Sequence, residues 1–232
     1  MKTNAKHRRP GFTLVELLVV IVIIAALAGL TAPQLIRMRK KGDQALALNN
    51  GKQLAIAMTD FSAEYGGFPD AETAKRVTEQ TGSTLSLSGD TANDYFRQLL
   101  ASGVAKSEDP FYSKTAVATK KPDNQFKQPA EALKGGEVGF SYITNGPTAI
   151  PGDDPNRIIA ATPLLSAKGD FDPGPLDAKA ALVYLDNSVK MLDIRQDNKK
   201  VIVTGSKTLL DGGENTMWGA DIKPTAKLPK KK

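Results

Sequence analysis

Arg8-Arg9-Pro10-Gly11-Phe12-Thr13-Leu14-Val15-Glu16 is the stretch that decides the fold: a basic leader, a glycine, a phenylalanine and one carboxylate run straight into an almost unbroken apolar segment. From Phe12 to Ala32 the only charged side chain is Glu16. Roughly 20 apolar residues are enough to cross a bilayer as a helix. A charged side chain at that depth costs about 2.5–3.5 kcal/mol on insertion scales and normally marks a function or a partner. A cleavable secretory signal gains nothing from such an acid. Ala26-Leu27-Ala28 nevertheless offers an A-x-A-like site, so an export signal cut after Ala28 and a simple single-pass anchor are the two alternatives.

These residues resemble the N-terminus of the type IV pilin and type II secretion pseudopilin superfamily, over about the first 55 residues. The resemblance implies cleavage after Gly11 by prepilin peptidase, N-methylation of the new N-terminus at Phe12, and a registration role for Glu16. The amine freed on Phe12 would neutralise the Glu16 carboxylate of a neighbouring subunit and so fix assembly. Pro33 lies 22 residues past the cut, where family members commonly carry a helix-bending proline.

Composition narrows the function by subtraction. The 232 residues suit one domain beside a long helix. The chain has no cysteine, and its single histidine, His7, lies in the leader. Cysteine and histidine nucleophile systems and histidine- or cysteine-ligated zinc are therefore excluded from the processed protein, and no enzymatic activity is expected. Many pilins close a C-terminal loop with a disulfide; its absence here tilts the resemblance towards a pseudopilin. The net charge of +6 sits at the ends. Losing Lys2, Lys6, Arg8 and Arg9 leaves 27 basic against 25 acidic residues, and without Lys223, Lys227, Lys230, Lys231 and Lys232 the body is 22 against 25. The leader's cations place the N-terminus in the cytoplasm by the positive-inside rule.

The chain divides into a leader (1–11), a helix from Phe12 to Tyr65 with a membrane span over 12–32, a globular region (66–222) and a basic tail (223–232). Pro33 predicts a bend and Gly42 a second soft point. Arg37, Arg39, Lys40 and Lys41 then form a solvated, membrane-flanking run. Ala47, Gly51, Leu54, Met58, Phe61 and Tyr65 recur every three or four residues, one stripe meant for a sheet. Asn49, Asn50, Lys52, Gln53, Thr59 and Asp60 fall off that stripe and are expected to be exposed or to touch other subunits. Gly66-Gly67 and Pro69 end the helix. Helices are predicted over Glu72–Gln80 and Ala92–Ser102, the second capped by Thr91, with Leu85, Leu87, Phe96, Leu99 and Leu100 in the core. Residues 106–136 read as a long loop.

Strands are predicted at Val138–Thr144, Arg157–Ala161, Ala180–Leu185, Ser188–Ile194 and Lys200–Thr204, with a hairpin at Asp186-Asn187. Val183–Lys190 also resembles an "aDGhV" hairpin of large prepilin-type proteins, with Asn187 and Ser188 in place of the glycine and histidine. Asp153, Asp154, Asp170 and Asp172 lie in Pro/Gly-rich loops that could supply oxygens to a calcium ion, as major pseudopilins do in a C-terminal loop; acidic turn residues also serve local hydrogen bonding. No other cofactor is expected. Trp218 reads as a plug tying the C-terminal segment to the sheet. The lysine tail reads as disordered and solubilising, and without interleaved aromatics no specific nucleic-acid binding is expected.

The expected fold is therefore α+β and pilin-like: a long bent N-terminal helix, half of it transmembrane, packed on a C-terminal antiparallel sheet. The expected function is structural: a subunit of a pilus-like filament, anchored in the bacterial inner membrane with its C-terminal domain periplasmic. The resemblance implies self-association and, as partners, other pseudopilins, prepilin peptidase, an assembly ATPase and an inner-membrane platform. A type II secretion pseudopilin is preferred. The alternatives are a type IV pilus subunit and a pilin-anchored surface binder, an adhesin or DNA receptor.

Overall fold

The structure, a computed structural model, describes residues 12–232 and falls into two compact units, one ending at Arg39 and the other spanning Lys40–Lys232. Helix α1 (Leu14–Tyr65) contributes to both and is helical through Pro33 and Gly42. In the first unit every residue from Phe12 to Ala32 is exposed, Leu14 at 79% and Leu30 at 75%. Those 21 residues would make about 31 Å of helix, close to a bilayer's hydrocarbon thickness of about 30 Å.

In the second unit α1 turns amphipathic, and the predicted stripe is buried at all six positions from Ala47 to Tyr65. Gly66 (φ 74°) ends the helix in the left-handed region, its N–H bonded to the Ser62 carbonyl at 3.0 Å. Helix α2 (Ala71–Thr81) starts on Asp70, whose carboxylate accepts from the Glu72 and Thr73 N–H groups, both at 2.9 Å. Helix α3 (Ala92–Ala101) starts after Thr91, whose N–H and hydroxyl both donate to Asp94 Oδ2.

The strands are β1 (Ser141–Asn145), β2 (Thr148–Ala149), β3 (Ile158–Thr162), β4 (Lys179–Tyr184), β5 (Val189–Asp193), β6 (Ile202–Thr204), β7 (Lys207–Thr208) and β8 (Pro224–Lys227). The main sheet is antiparallel throughout, β8-β1-β3-β4-β5, with short β2 sharing the β3 edge of β1. β6 and β7 form a separate hairpin. The β4–β5 turn uses Asn187 at φ 62°, a conformation that Asn tolerates better than most residues. Its side-chain oxygen accepts from Thr59 and ties the hairpin to α1.

Both faces of the sheet are covered. On one, Leu54, Met58 and Phe61 of α1 meet Phe96 and Leu99 of α3, Phe111, and Tyr142 and Val183 of the sheet. On the other, Ile143, Ile158 and Leu182 pack under Leu209, Trp218 and Ile222. Trp218 is 1% exposed and its indole N–H donates to the Leu209 carbonyl at 2.8 Å, so it plugs the C-terminal segment onto the sheet.

Three expectations change. Asn50 is buried, not exposed, because its amide donates to the Tyr112 carbonyl at 2.9 Å and satisfies the loop backbone beside α1. The first strand begins at Ser141 because the Gly139 N–H bonds Phe111 instead of a neighbouring strand. The lysine tail is built into the fold: β8 pairs with β1, the Lys230 N–H donates to Asn93 Oδ1, and its carbonyl accepts from Gly136. Ile222, Ala226 and Pro229 along this segment are buried, which the high lysine content masks.

α1 packs tightly on the sheet at Gly51, where an added Cβ would lie 3.1 Å from Val189 Cγ2 and 3.2 Å from Val183 Cγ2. Gly51→Leu should destabilise the domain by about 1–3 kcal/mol through overpacking, seen as a lower urea midpoint at unchanged m value. Gly42→Ala, where a Cβ meets nothing within 4 Å, should leave the midpoint unchanged or raise it.

Candidate functional site

The N-terminus of α1 is organised by Thr13 and Glu16. Thr13 precedes the helix, and its hydroxyl accepts from the Glu16 N–H at 3.2 Å. The Glu16 carboxylate reaches back to the Thr13 N–H at 2.9 Å and the Thr13 hydroxyl at 2.8 Å. This is a reciprocal capping box, which satisfies donors that a helix start leaves unpaired and sets an anion where the helix dipole favours one. Thr13 is a functional residue not expected from the sequence reading, although the Thr-x-x-Glu spacing ahead of an apolar run carries its signal. Phe12 stands beside them, 74% exposed. Gly11 lies outside the described residues.

The four loop aspartates occupy separate turns. Asp153 ion-pairs with Arg157, and Asp154 accepts from the Asn156 N–H at 2.9 Å. Asp170 accepts from the Ser166 hydroxyl at 2.6 Å, and Asp172 from the Gly174 N–H at 2.9 Å. Among the described residues no three acidic side chains converge as a metal-binding group.

A second pair of carboxylates, not anticipated, anchors the long loop 106–136. Glu108 is fully buried; its Oε1 accepts from the Leu133 N–H at 2.6 Å and its Oε2 has no protein partner. Glu137, 3% exposed, accepts from the adjacent Lys134 N–H at 2.7 Å. Burial pushes both above the usual carboxylate range. The Leu133 and Lys134 N–H bonds oppose that rise, and the Asp123 charge adds to it at both sites.

The motif and the fold define a class. Residues 6–32 match a family model described as the prokaryotic N-terminal methylation motif, and this match together with the relatives that follow supports the type IV pilin and type II secretion pseudopilin superfamily. Among individual relatives, the Type II secretion system core protein G of Aeromonas hydrophila is 37% identical over 67 residues, 29% of this chain and 47% of that protein. The core protein G of Pseudomonas aeruginosa is 26% identical over 145 residues, 60% of this chain and 96% of the relative. The Type IV major pilin protein PilA of Myxococcus xanthus is 36% identical over 63 residues, 27% of this chain and 29% of that pilin. The chain spans about half the length of the first curated relatives it matches. No solved structure matches it.

Because their folded pKa values lie above the unfolded ones, Glu108 and Glu137 bind protons more tightly when folded. Their contribution to stability therefore rises as pH falls from neutral through the raised values and levels off below the ordinary 4.5. Asp123, Asp186 and Asp211, held below their ordinary 3.8, act oppositely only at lower pH. The full chain in detergent should thus show a higher urea midpoint at pH 5.5 than at 7.5. Glu108→Gln should flatten that dependence; an unchanged slope would rule Glu108 out as its source.

Proposed function

We propose that this chain is a structural subunit of a pilus-like filament, a pseudopilin of a type II secretion system. The observation that carries the proposal is the exposed, otherwise charge-free run from Phe12 to Ala32 with Glu16 held at its helix start. Exposed apolar surface on that scale requires cover, either lipid or the same segment of other subunits. Stored in the inner membrane, the subunit would be cut after Gly11, methylated at Phe12 and drawn into a helical bundle of these segments. In the stored state Thr13 satisfies the carboxylate. In the filament the Phe12 amine of a neighbour would neutralise it and set the register, with Pro33 allowing the helix to bend between its two halves.

The topology that follows is an N-terminus in the cytoplasm, a span over 12–32 and the folded unit in the periplasm. Prepilin peptidase, an assembly ATPase, an inner-membrane platform and other pseudopilins are the implied partners. The similarity to core protein G from several bacteria favours the secretion reading. The similarity to a Myxococcus major pilin supports the second, a type IV pilus subunit.

The deciding measurement is intact mass and N-terminal sequence of protein from native membranes. A chain starting at Phe12 with one added methyl group is expected; one starting at Gly29, or an uncut Met1, would refute prepilin processing. Glu16→Ala should insert normally yet fail to enter filaments, and normal filament yield from it would remove the registration role.

A further inference from the structure

One end of the sheet gathers a cluster of lysines. Ala47 of α1 packs with Ala181, and Gly51 faces Val183, so β4 runs alongside α1 in the same direction. The near end of the sheet, where α1 enters the unit, is fixed by the ion pair of Lys40 with Asp177 and the bond from the Gln44 amide to the Leu176 carbonyl. From the antiparallel register, β3, β5 and β8 all finish at this end and β1 begins there.

Segments leaving the sheet at the near end carry lysines that have no carboxylate within 4 Å among the described residues. Lys120 lies upstream of β1, its N–H bonded to the Gly136 carbonyl, with Lys121 next to it. The Gly136 N–H in turn bonds the Lys230 carbonyl, which brings Lys230, Lys231 and Lys232 to the same place. Beyond β3, Lys168 offers its carbonyl to the Lys200 ammonium at 3.2 Å, and Lys199 holds the Phe171 N–H. The carboxylates nearby are engaged otherwise: Asp177 with Lys40, Asp193 with Lys179, Asp197 with Arg195, and Asp123 and Glu131 with Lys134. Asp170 and Asp172 accept only from a hydroxyl and a backbone N–H.

Leu165 lies within this cationic end. It is 39% exposed, one of two large apolar side chains so exposed in the unit, and it lines a cavity of about 400 Å³ with Val117, Lys231 and Lys232. Lysines around an exposed leucine suit phosphate headgroups above an apolar layer. They lack the aromatic faces and guanidinium forks that nucleotide recognition uses. In the sequence only eight residues, 33–40, separate the apolar span from this end, so the chain itself tethers these lysines to the bilayer that the span would cross.

We propose that the near end of the folded unit binds anionic phospholipid headgroups of the bilayer that Phe12–Ala32 crosses, holding the stored subunit against the membrane. The proposal rests on the membrane anchor of the preceding section. The full chain would be reconstituted in vesicles of phosphatidylcholine alone or mixed with phosphatidylglycerol, and its lysines labelled with an amine-reactive reagent and read by mass spectrometry. Lys120, Lys121, Lys231 and Lys232 should lose labelling in the anionic vesicles and recover it at high salt, while Lys52 and Lys75 stay unchanged. Replacing Lys121, Lys231 and Lys232 by Gln should abolish the lipid dependence at Lys120. Equal labelling in both vesicles overturns the proposal. So does protection that follows protein density in neutral vesicles, which would assign this end to a second copy. Flotation with neutral vesicles tests the anchor separately: a chain that fails to float removes the anchor, whereas one that floats without a lipid effect removes the headgroup site alone.

Discussion

One helix has to satisfy two different kinds of burial, and most of the molecule follows from that. From Ala47 to Tyr65 the apolar positions of α1 form a single stripe, and the sheet and α3 cover it completely. From Phe12 to Ala32 the helix is apolar all round, and no single face of a small domain could cover it. A stripe needs one partner surface; a fully apolar cylinder needs an apolar medium or a bundle of its own kind. The chain meets the first need internally and leaves the second to lipid or to other subunits.

Close contact between α1 and the sheet depends on the side chain missing at Gly51, which lets Val183 and Val189 approach the helix backbone. Polar groups complete the attachment where apolar ones cannot. Asn50 meets the Tyr112 carbonyl on one side of the helix and Thr59 meets the Asn187 amide oxygen on the other. Loop 106–136, with almost no regular structure, is fastened by buried side chains of α3. Arg97 donates to the Ala132 and Leu133 carbonyls, and Asn93 bridges Leu133 and the Lys230 N–H. Glu108 and Glu137 take the Leu133 and Lys134 N–H groups. A long loop that must be ordered has to have its backbone groups answered one by one.

At the other end of α1, Thr13 gives the lone carboxylate a partner within its own chain. Glu16 is then neither an unsatisfied buried charge nor an inert one. It is held at the helix start by the Thr13 N–H and hydroxyl, bonds that the proposed filament assembly would have a neighbour's amine replace.

Sequence alone determined the elements with a strong local period or punctuation: the apolar run, the α1 stripe, Gly66 as its stop, both short helices and the cores of five strands. Each rests on neighbours in the chain, so composition and spacing suffice. Thr13 is legible too, as the partner of Glu16 three residues on, through the Thr-x-x-Glu spacing of a capping box. Tertiary structure alone decided the rest. Lys223–Lys232 reads as a solvated tail because its lysines outnumber its apolar residues, yet Ile222, Ala226 and Pro229 are buried and β8 pairs with a strand about 80 residues earlier. The burial of Glu108 and Asn50 likewise comes from loop carbonyls and N–H groups distant in sequence. A polar residue's burial depends on whether the fold brings it a partner, and that partner's position is not written in the local pattern.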